Sequence, residues 1–188
     1  MLDQFGRKIE YMRISLTNNC NLRCSYCMPE KRISDVHFFP MNQVLRCVES
    51  AVSLGITHFR LTGGEPLCYP KIEELLCKIK QIKGVDSVHL TTNGVLLPRM
   101  AADLKEAGLS RVNISLDTLD AEKFHKITRC GSLDDALRGI DAALESGFNP
   151  VKINAVALRS LADGFLDFAK LSIDRPLHVR FIEHMPIG

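Results

Sequence analysis

The chain has no apolar run long enough to cross a membrane, no low-complexity segment, and no linker rich in proline, serine or glycine. The first absence excludes a helical membrane span; the others leave no internal domain boundary to read. Met1-Leu2-Asp3-Gln4-Phe5-Gly6-Arg7-Lys8 contains no apolar export segment, so an unexported, cytoplasmic protein in a reducing compartment is expected. Neither sign of charge is in excess. The chain has 24 Lys and Arg against 22 Asp and Glu, interspersed, which gives neither a nucleic-acid stripe nor an acidic tail. A complete disulfide framework is missing too. Seven cysteines cannot all pair, and 188 residues with 46% hydrophobic content can build a core without one. Cys47, Cys68, Cys77 and Cys130 are scattered singly and read as small half-buried residues.

What is present is a unit of helix, glycine and strand, repeated along the chain. Met41, Val44, Leu45, Val48, Ala51 and Val52 recur at helical spacing; Gly55 follows, and then a strand through Phe59-Arg60-Leu61. Ile72, Leu75, Leu76, Ile79 and Ile82 repeat the signal before Gly84 and the strand 87–91. A third helix starts near Pro98, a favoured first-turn residue, and ends at Gly108 before the strand 111–115. A fourth carries Leu133, Ala136, Leu137, Ile140, Ala143 and Leu144, ends at Gly147, and precedes the strand 151–155. A fifth, weaker helix over 164–171 precedes the strand 177–181. With 11–15 as the first strand, six strands alternate with five helices, which predicts a parallel sheet with helical crossovers.

A doubly wound sheet buries both faces and gives apolar runs, whereas these strands alternate. Met12 and Ile14 oppose Arg13 and Ser15; Phe59 and Leu61 oppose His58, Arg60 and Thr62; Val112 and Ile114 oppose Asn113 and Ser115. Val151 and Ile153 oppose Lys152 and Asn154, and Val179 and Phe181 oppose His178 and Arg180. Side chains alternate across a strand, so one face is apolar and helix-covered while the other is polar. A polar face inside an α/β protein needs a wet, concave place to point. The expected fold is an α/β, partial TIM-like (β/α)6 barrel with a ligand in its lumen.

Three thiols stand in Cys20-Asn21-Leu22-Arg23-Cys24-Ser25-Tyr26-Cys27, a C-x3-C-x2-C spacing in the loop after the first strand. That is the C-terminal rim, where barrel active sites sit. Zinc in a closed structural site takes four ligands, and the nearest fourth candidate is His37. A 4Fe–4S cluster bound by three thiolates would keep one iron open for a small molecule. Spacing favours the cluster over zinc, and zinc over a disulfide, and leaves all three open. The next rim loop is Thr62-Gly63-Gly64-Glu65-Pro66, whose paired glycines allow backbone to approach a ligand closely.

The cysteine stretch, with an aromatic residue before its last cysteine, resembles the signature of radical S-adenosylmethionine enzymes. Gly63-Gly64-Glu65-Pro66 is similar to the loop with which that family holds the methionine amino group. Within the superfamily, Phe59-Arg60-Leu61-Thr62-Gly63-Gly64-Glu65-Pro66, Thr91-Thr92-Asn93-Gly94, Asn113-Ile114-Ser115-Leu116-Asp117 and Arg180-Phe181-Ile182-Glu183 resemble the GTP 3′,8-cyclases of molybdenum cofactor biosynthesis. The resemblance runs from Gly6 to Met185.

It implies that Cys20, Cys24 and Cys27 hold one 4Fe–4S cluster, and that Tyr26, Gly64, Ser115 and Met185 line the S-adenosylmethionine site. It implies reductive cleavage of S-adenosylmethionine, hydrogen abstraction from C3′ of GTP and closure onto guanine C8, a lyase-type reaction. Arg13, Arg60, Thr91, Lys152 and Arg180 match positions that face GTP. On physical grounds, cations gathered on an inward face require an anion, and a triphosphate suits them. The alternative partners for them are solvent, Asp117 or Glu65. By the same resemblance, partners are an electron donor, the next enzyme of molybdopterin synthesis and a second copy in a homodimer.

The sequence departs from the pattern in three places. Asn18-Asn19 replaces an Asp-Arg pair, with little expected effect on ligation. His58 stands at a usual lysine position, which implies a weaker or pH-dependent phosphate contact. The second cluster-binding segment of the family has no counterpart, so residues 1–188 read as the radical core domain without the C-terminal part and with impaired activity alone. Two other readings stay open: a radical enzyme acting on another substrate such as a peptide, and a non-catalytic nucleotide-binding module.

Overall fold

Six strands pair side by side in chain order, and every pairing is parallel. They are β1 (Tyr11–Ser15), β2 (His58–Thr62), β3 (Ser87–Thr92), β4 (Arg111–Ser115), β5 (Val151–Ala157) and β6 (Leu177–Glu183). The computed structural model describes residues 2–28 and 35–184. Helices α1 (Met41–Ser53), α2 (Ile72–Gln81), α3 (Leu97–Glu106), α4 (Ala121–Thr128), α5 (Leu133–Glu145) and α6 (Phe165–Asp174) lie in the crossovers. Parallel crossovers take one hand. When each strand also pairs with its chain neighbour, the helices fall on one face and the sheet curls around the other. The result is an open, partial (β/α)6 barrel, as the alternating strands predicted. Among the described residues no helix is long and apolar enough to cross a membrane.

The core lies between sheet and helices. Ile14, Phe59, Leu61, Val88, Leu90, Val112, Ile114, Val151 and Ile153 project outward from the strands and are buried. They meet the apolar stripes of the helices, such as Val44 and Val48 of α1, Leu75 and Ile79 of α2, and Ile140 of α5. Each such aliphatic side chain contributes on the order of 1.5–3 kcal/mol when withdrawn from water. The inward residues of the same strands are mostly polar, with Val156 at the end of β5 an exception.

The sequence reading misses α4. This helix has only eight residues and buries only Phe124 and Thr128, so it has no apolar period to read. Its start is set by Asp120, whose carboxylate accepts a hydrogen bond from the Lys123 N–H at 2.8 Å. β5 and β6 each run two residues beyond the expected 155 and 181, because they hydrogen-bond to each other along their whole length.

Gly139 lies in the middle of α5, where the backbone of Gly94 touches the helix. A Cβ at Gly139 would lie 2.1 Å from the Gly94 carbonyl oxygen. Glycine in a helix interior costs about 1 kcal/mol against alanine, so Gly139→Ala on an open face would stabilise. Here the overpacking, on the order of 1–3 kcal/mol, opposes and exceeds that gain. We expect Gly139→Ala to lower the melting temperature by roughly 2–6 °C, measured by thermal unfolding. An unchanged or raised midpoint would show that α5 can move off the Gly94 turn.

Candidate active site

The site is built where the loop after β1 meets the loop after β2. Gly64 N–H donates to the Thr17 carbonyl at 2.7 Å, and Glu65 N–H donates to the Asn19 carbonyl at 2.7 Å. The two loops thus extend the β1–β2 ladder past the strands. Gly63 sits at φ +152, and a Cβ there would lie 2.5 Å from the Thr17 oxygen; a Cβ at Gly64 would lie 2.3 Å from the Asn19 oxygen. The paired glycines are therefore dictated by a neighbouring backbone, in addition to whatever ligand approaches Gly64 from the lumen.

The cysteine loop is held on its other sides by hydrogen bonds to two elements. Arg23 and Ser25 N–H groups donate to the carbonyls of Thr128 and Ile127, at 3.0 and 2.9 Å. Asn93 after β3 donates to the Asn21 side chain at 2.7 Å. Gly131 leaves room for Leu22, whose methyl would lie 2.6 Å from a Cβ there. Asn18 bonds His37 N–H and the Asp35 carbonyl, at 2.8 Å each, so it ties the loop to the chain ahead of α1. His37 contributes backbone to this contact, not a fourth ligand.

Two carboxylates brace the rim. Glu65 is 1% exposed. Its oxygens accept from Leu67 N–H at 3.0 Å, Thr92 Oγ1 at 2.7 Å and Asn93 N–H at 2.7 Å. Burial pushes its pKa up while these three donors pull it down. Asp117 accepts from the Tyr26 hydroxyl at 2.5 Å and from Val156 N–H at 2.8 Å, joining the cysteine loop to β4 and β5. Burial raises both Asp117 and Tyr26. Among the described residues, neither carboxylate pairs with a lumen cation.

These elements enclose a cavity of about 380 Å³, walled by Cys20, Cys24 and Cys27 at the rim and by Arg13, Arg60 and Thr91 below. Tyr26, Gly64 and Ser115 also line it. Lys152 and Arg180 share the polar face but lie outside this wall, and Met185 is outside the described residues. The parallel register places Arg13, Arg60, His89 and Arg111 side by side across β1 to β4. Arg60 donates to the Tyr11 hydroxyl, lies 5.7 Å over that ring, and donates to Thr91 Oγ1 at 3.2 Å. Among the described residues, Arg13, Lys152 and Arg180 make no ion pair with a carboxylate. Lys152 is lowered by burial and then by Arg180, Arg111 and Arg60. His58, at the foot of β2, bonds Ser87 Oγ at 2.9 Å.

A family model described as the radical SAM superfamily matches residues 14–171. The chain belongs to the radical SAM superfamily. Its curated relatives include GTP 3′,8-cyclases of Petrotoga mobilis, 47% identical over all of this chain and 59% of that protein, and of Geobacter sulfurreducens, 50% identical over 99% of this chain and 58% of that protein. The chain therefore spans less than two thirds of the length of these relatives. Among solved structures, methylornithine synthase aligns with a TM-score of 0.77 at 18% identity, over 96% of this chain and 55% of that one. Streptococcus suis SuiB bound to S-adenosylmethionine aligns with a TM-score of 0.79 at 21% identity, over 95% of this chain and 41% of that one. These likenesses concern the fold.

Radical SAM enzymes use a 4Fe–4S cluster and S-adenosylmethionine, and the thiols suit such a cluster. All three are free and border one cavity. Among the described residues no three His, Cys, Asp or Glu side chains converge tightly enough to grip a single ion. Burial pushes Cys20 up to about 11 and Cys24 up to about 12, so metal loading must release their protons.

Sequence reading missed Tyr11, which positions Arg60, and the bracing roles of Glu65, Asn93 and Asp117. Strand parity carried a signal only for Tyr11, on the inward face of β1, and for Thr92, on the outward face of β3; Glu65, Asn93 and Asp117 lie in loops, beyond its reach. Glu65→Gln tests the brace. It removes charge and turns an amide N–H toward a donor, so we expect a loss of about 1–3 kcal/mol in urea unfolding. An unchanged midpoint would mean that the Thr92 and Asn93 contacts contribute nothing net.

Proposed function

We propose that residues 1–188 form the radical core domain of a GTP 3′,8-cyclase, acting in the cytoplasm on the first step of molybdenum cofactor biosynthesis. One observation carries this reading: three thiols at the rim of a lumen whose next tier is a row of cations without a carboxylate partner among the described residues. The curated relatives named GTP 3′,8-cyclase support it.

Cys20, Cys24 and Cys27 would hold the cluster, and when bound it supplies one-electron reductive cleavage of S-adenosylmethionine to methionine and a 5′-deoxyadenosyl radical. The chain's own residues do the rest by placement. Gly64 offers backbone at the rim, Tyr26 is fixed by Asp117, and Ser115 stands between rim and tier. Arg13 and Arg60 face the lumen with planar forks suited to phosphate oxygens, while Lys152 and Arg180 extend the charge toward β6. A triphosphate on the cations would hold its ribose toward the rim, where the radical forms. An electron donor, the next enzyme of the pathway and a second copy of the chain are the partners this reading includes.

Anaerobic reconstitution with iron and sulfide should give about four irons per chain and a brown absorbance, both lost in Cys24→Ala. Zinc in place of iron would sink the assignment of the thiols. GTP should protect the reconstituted chain thermally, and Arg60→Ala should weaken GTP binding by roughly tenfold or more. If GTP gives no protection and Arg60→Ala changes nothing, the substrate assignment fails. Cleavage of S-adenosylmethionine with GTP bound but no cyclised product would favour the nucleotide-binding module over the cyclase.

A further inference from the structure

Two buried side-chain polar atoms are left without a hydrogen-bond partner among the described residues: Asn154 Oδ1, in the cavity wall, and His89 Nδ1, behind that wall on the inward face of β3. His89, inward on β3, lies in register between Arg60 on β2 and Arg111 on β4. Its Nδ1 is buried and has no hydrogen-bond partner among the described residues. A lone pair costs less there than an N–H donor, because donors surround it, so the ring proton belongs on Nε2. The groups that act on the ring are Arg60 and His58 from β2, Arg111 from β4 and Lys152 from β5, all basic. Arg13 lies one strand further on in the same register row. Burial first, then these charges, hold the imidazole down to about 4.

We propose that His89 is the proton-accepting member of the cationic tier, so that a polyphosphate binding there draws a proton from solvent onto the His89 imidazole. This rests on the reading of the tier as a polyphosphate site. An anion spread over Arg60 and Arg111 offsets the charges that add to burial in keeping the ring neutral. It also offers oxygens to a new imidazolium donor, and charge-assisted bonds of that kind favour the charged form. The linkage has a definite sign. The bound pKa exceeds the free pKa, so protons are taken up on binding and affinity rises as pH falls. If the bound ring returns to its ordinary value of about 6.5, uptake is roughly half a proton at pH 6.5. Affinity then gains about fourfold between pH 8 and pH 6. His89→Gln keeps a polar side chain and removes this component.

The test uses inorganic tripolyphosphate as the probe, titrated calorimetrically into wild-type and His89→Gln chains in buffers of different ionisation enthalpy. The probe's own protons count equally in both proteins, so the difference isolates His89. Wild type should take up about half a proton more than the variant at pH 6.5. The His89 ring resonance, followed by NMR, should titrate at higher pH with tripolyphosphate than without. Binding with equal proton uptake in both proteins, or an unmoved His89 titration, overturns the inference and leaves the site reading intact. Failure of wild type to bind tripolyphosphate overturns the site reading, and this inference with it.

Discussion

The arrangement depends on a seam where two backbones touch. Gly64 and Glu65 N–H groups close on the Thr17 and Asn19 carbonyls, and no side chain fits between them. Because β1 and β2 are parallel neighbours, both strands deliver their loops to the same rim, and the ladder continues into those loops. The cysteine loop is thus positioned first by main-chain hydrogen bonds, whose geometry is fixed, and then by side chains that brace it. Glu65 passes the constraint to β3 through Thr92 and Asn93, and Asn93 returns it to Asn21 beside Cys20. Asp117 carries it to β4 and β5 through Tyr26 and Val156. Five of the six strands are therefore tied to the loop that bears the thiols.

The lumen is divided along the strand direction. At the rim, Glu65 and Asp117 are already engaged by three and two donors, so they hold structure. Below, arginines and a lysine gather with no carboxylate ion pair among the described residues. Like charges in a half-buried row repel, and the row persists only because the strands behind it are fixed by a well-packed core. The charge distribution thus separates two tiers, thiols at the rim and cations below.

Most of the fold was legible because it follows from two periodicities. Alternation at period two gave the polar and apolar faces of five strands, and period 3.6 with terminal glycines gave four of the helices, a fifth being read from a weaker pattern. The short α4 and the strand extensions were not legible, since one depends on a cap and a single phenylalanine and the other on pairing with a neighbour. In the site, Arg13, Arg60 and Thr91 could be placed by strand parity alone. The seam could not be read, because Gly63 and Gly64 look the same whether a ligand or a backbone approaches them. Nor could Glu65 and Asp117 be separated from counter-ions for the arginines. That distinction depends on which donors reach them first, and the donors come from residues 27 and 39 positions away.

A closed eight-stranded parallel barrel fills its interior with layers of branched side chains and has no room for a ligand in its lumen. Six strands that pair only with chain neighbours, with β1 and β6 unjoined, cannot close, and the curl leaves a cavity instead of a packed layer. A wet lumen then reverses the usual rule for inward residues. Leucine there would expose apolar surface, whereas arginine and histidine can be solvated until a ligand displaces the water. Openness and polarity are thus one property of this sheet. The same alternation that buries Phe59 and Leu61 against the helices commits Arg60, between them, to the cavity side.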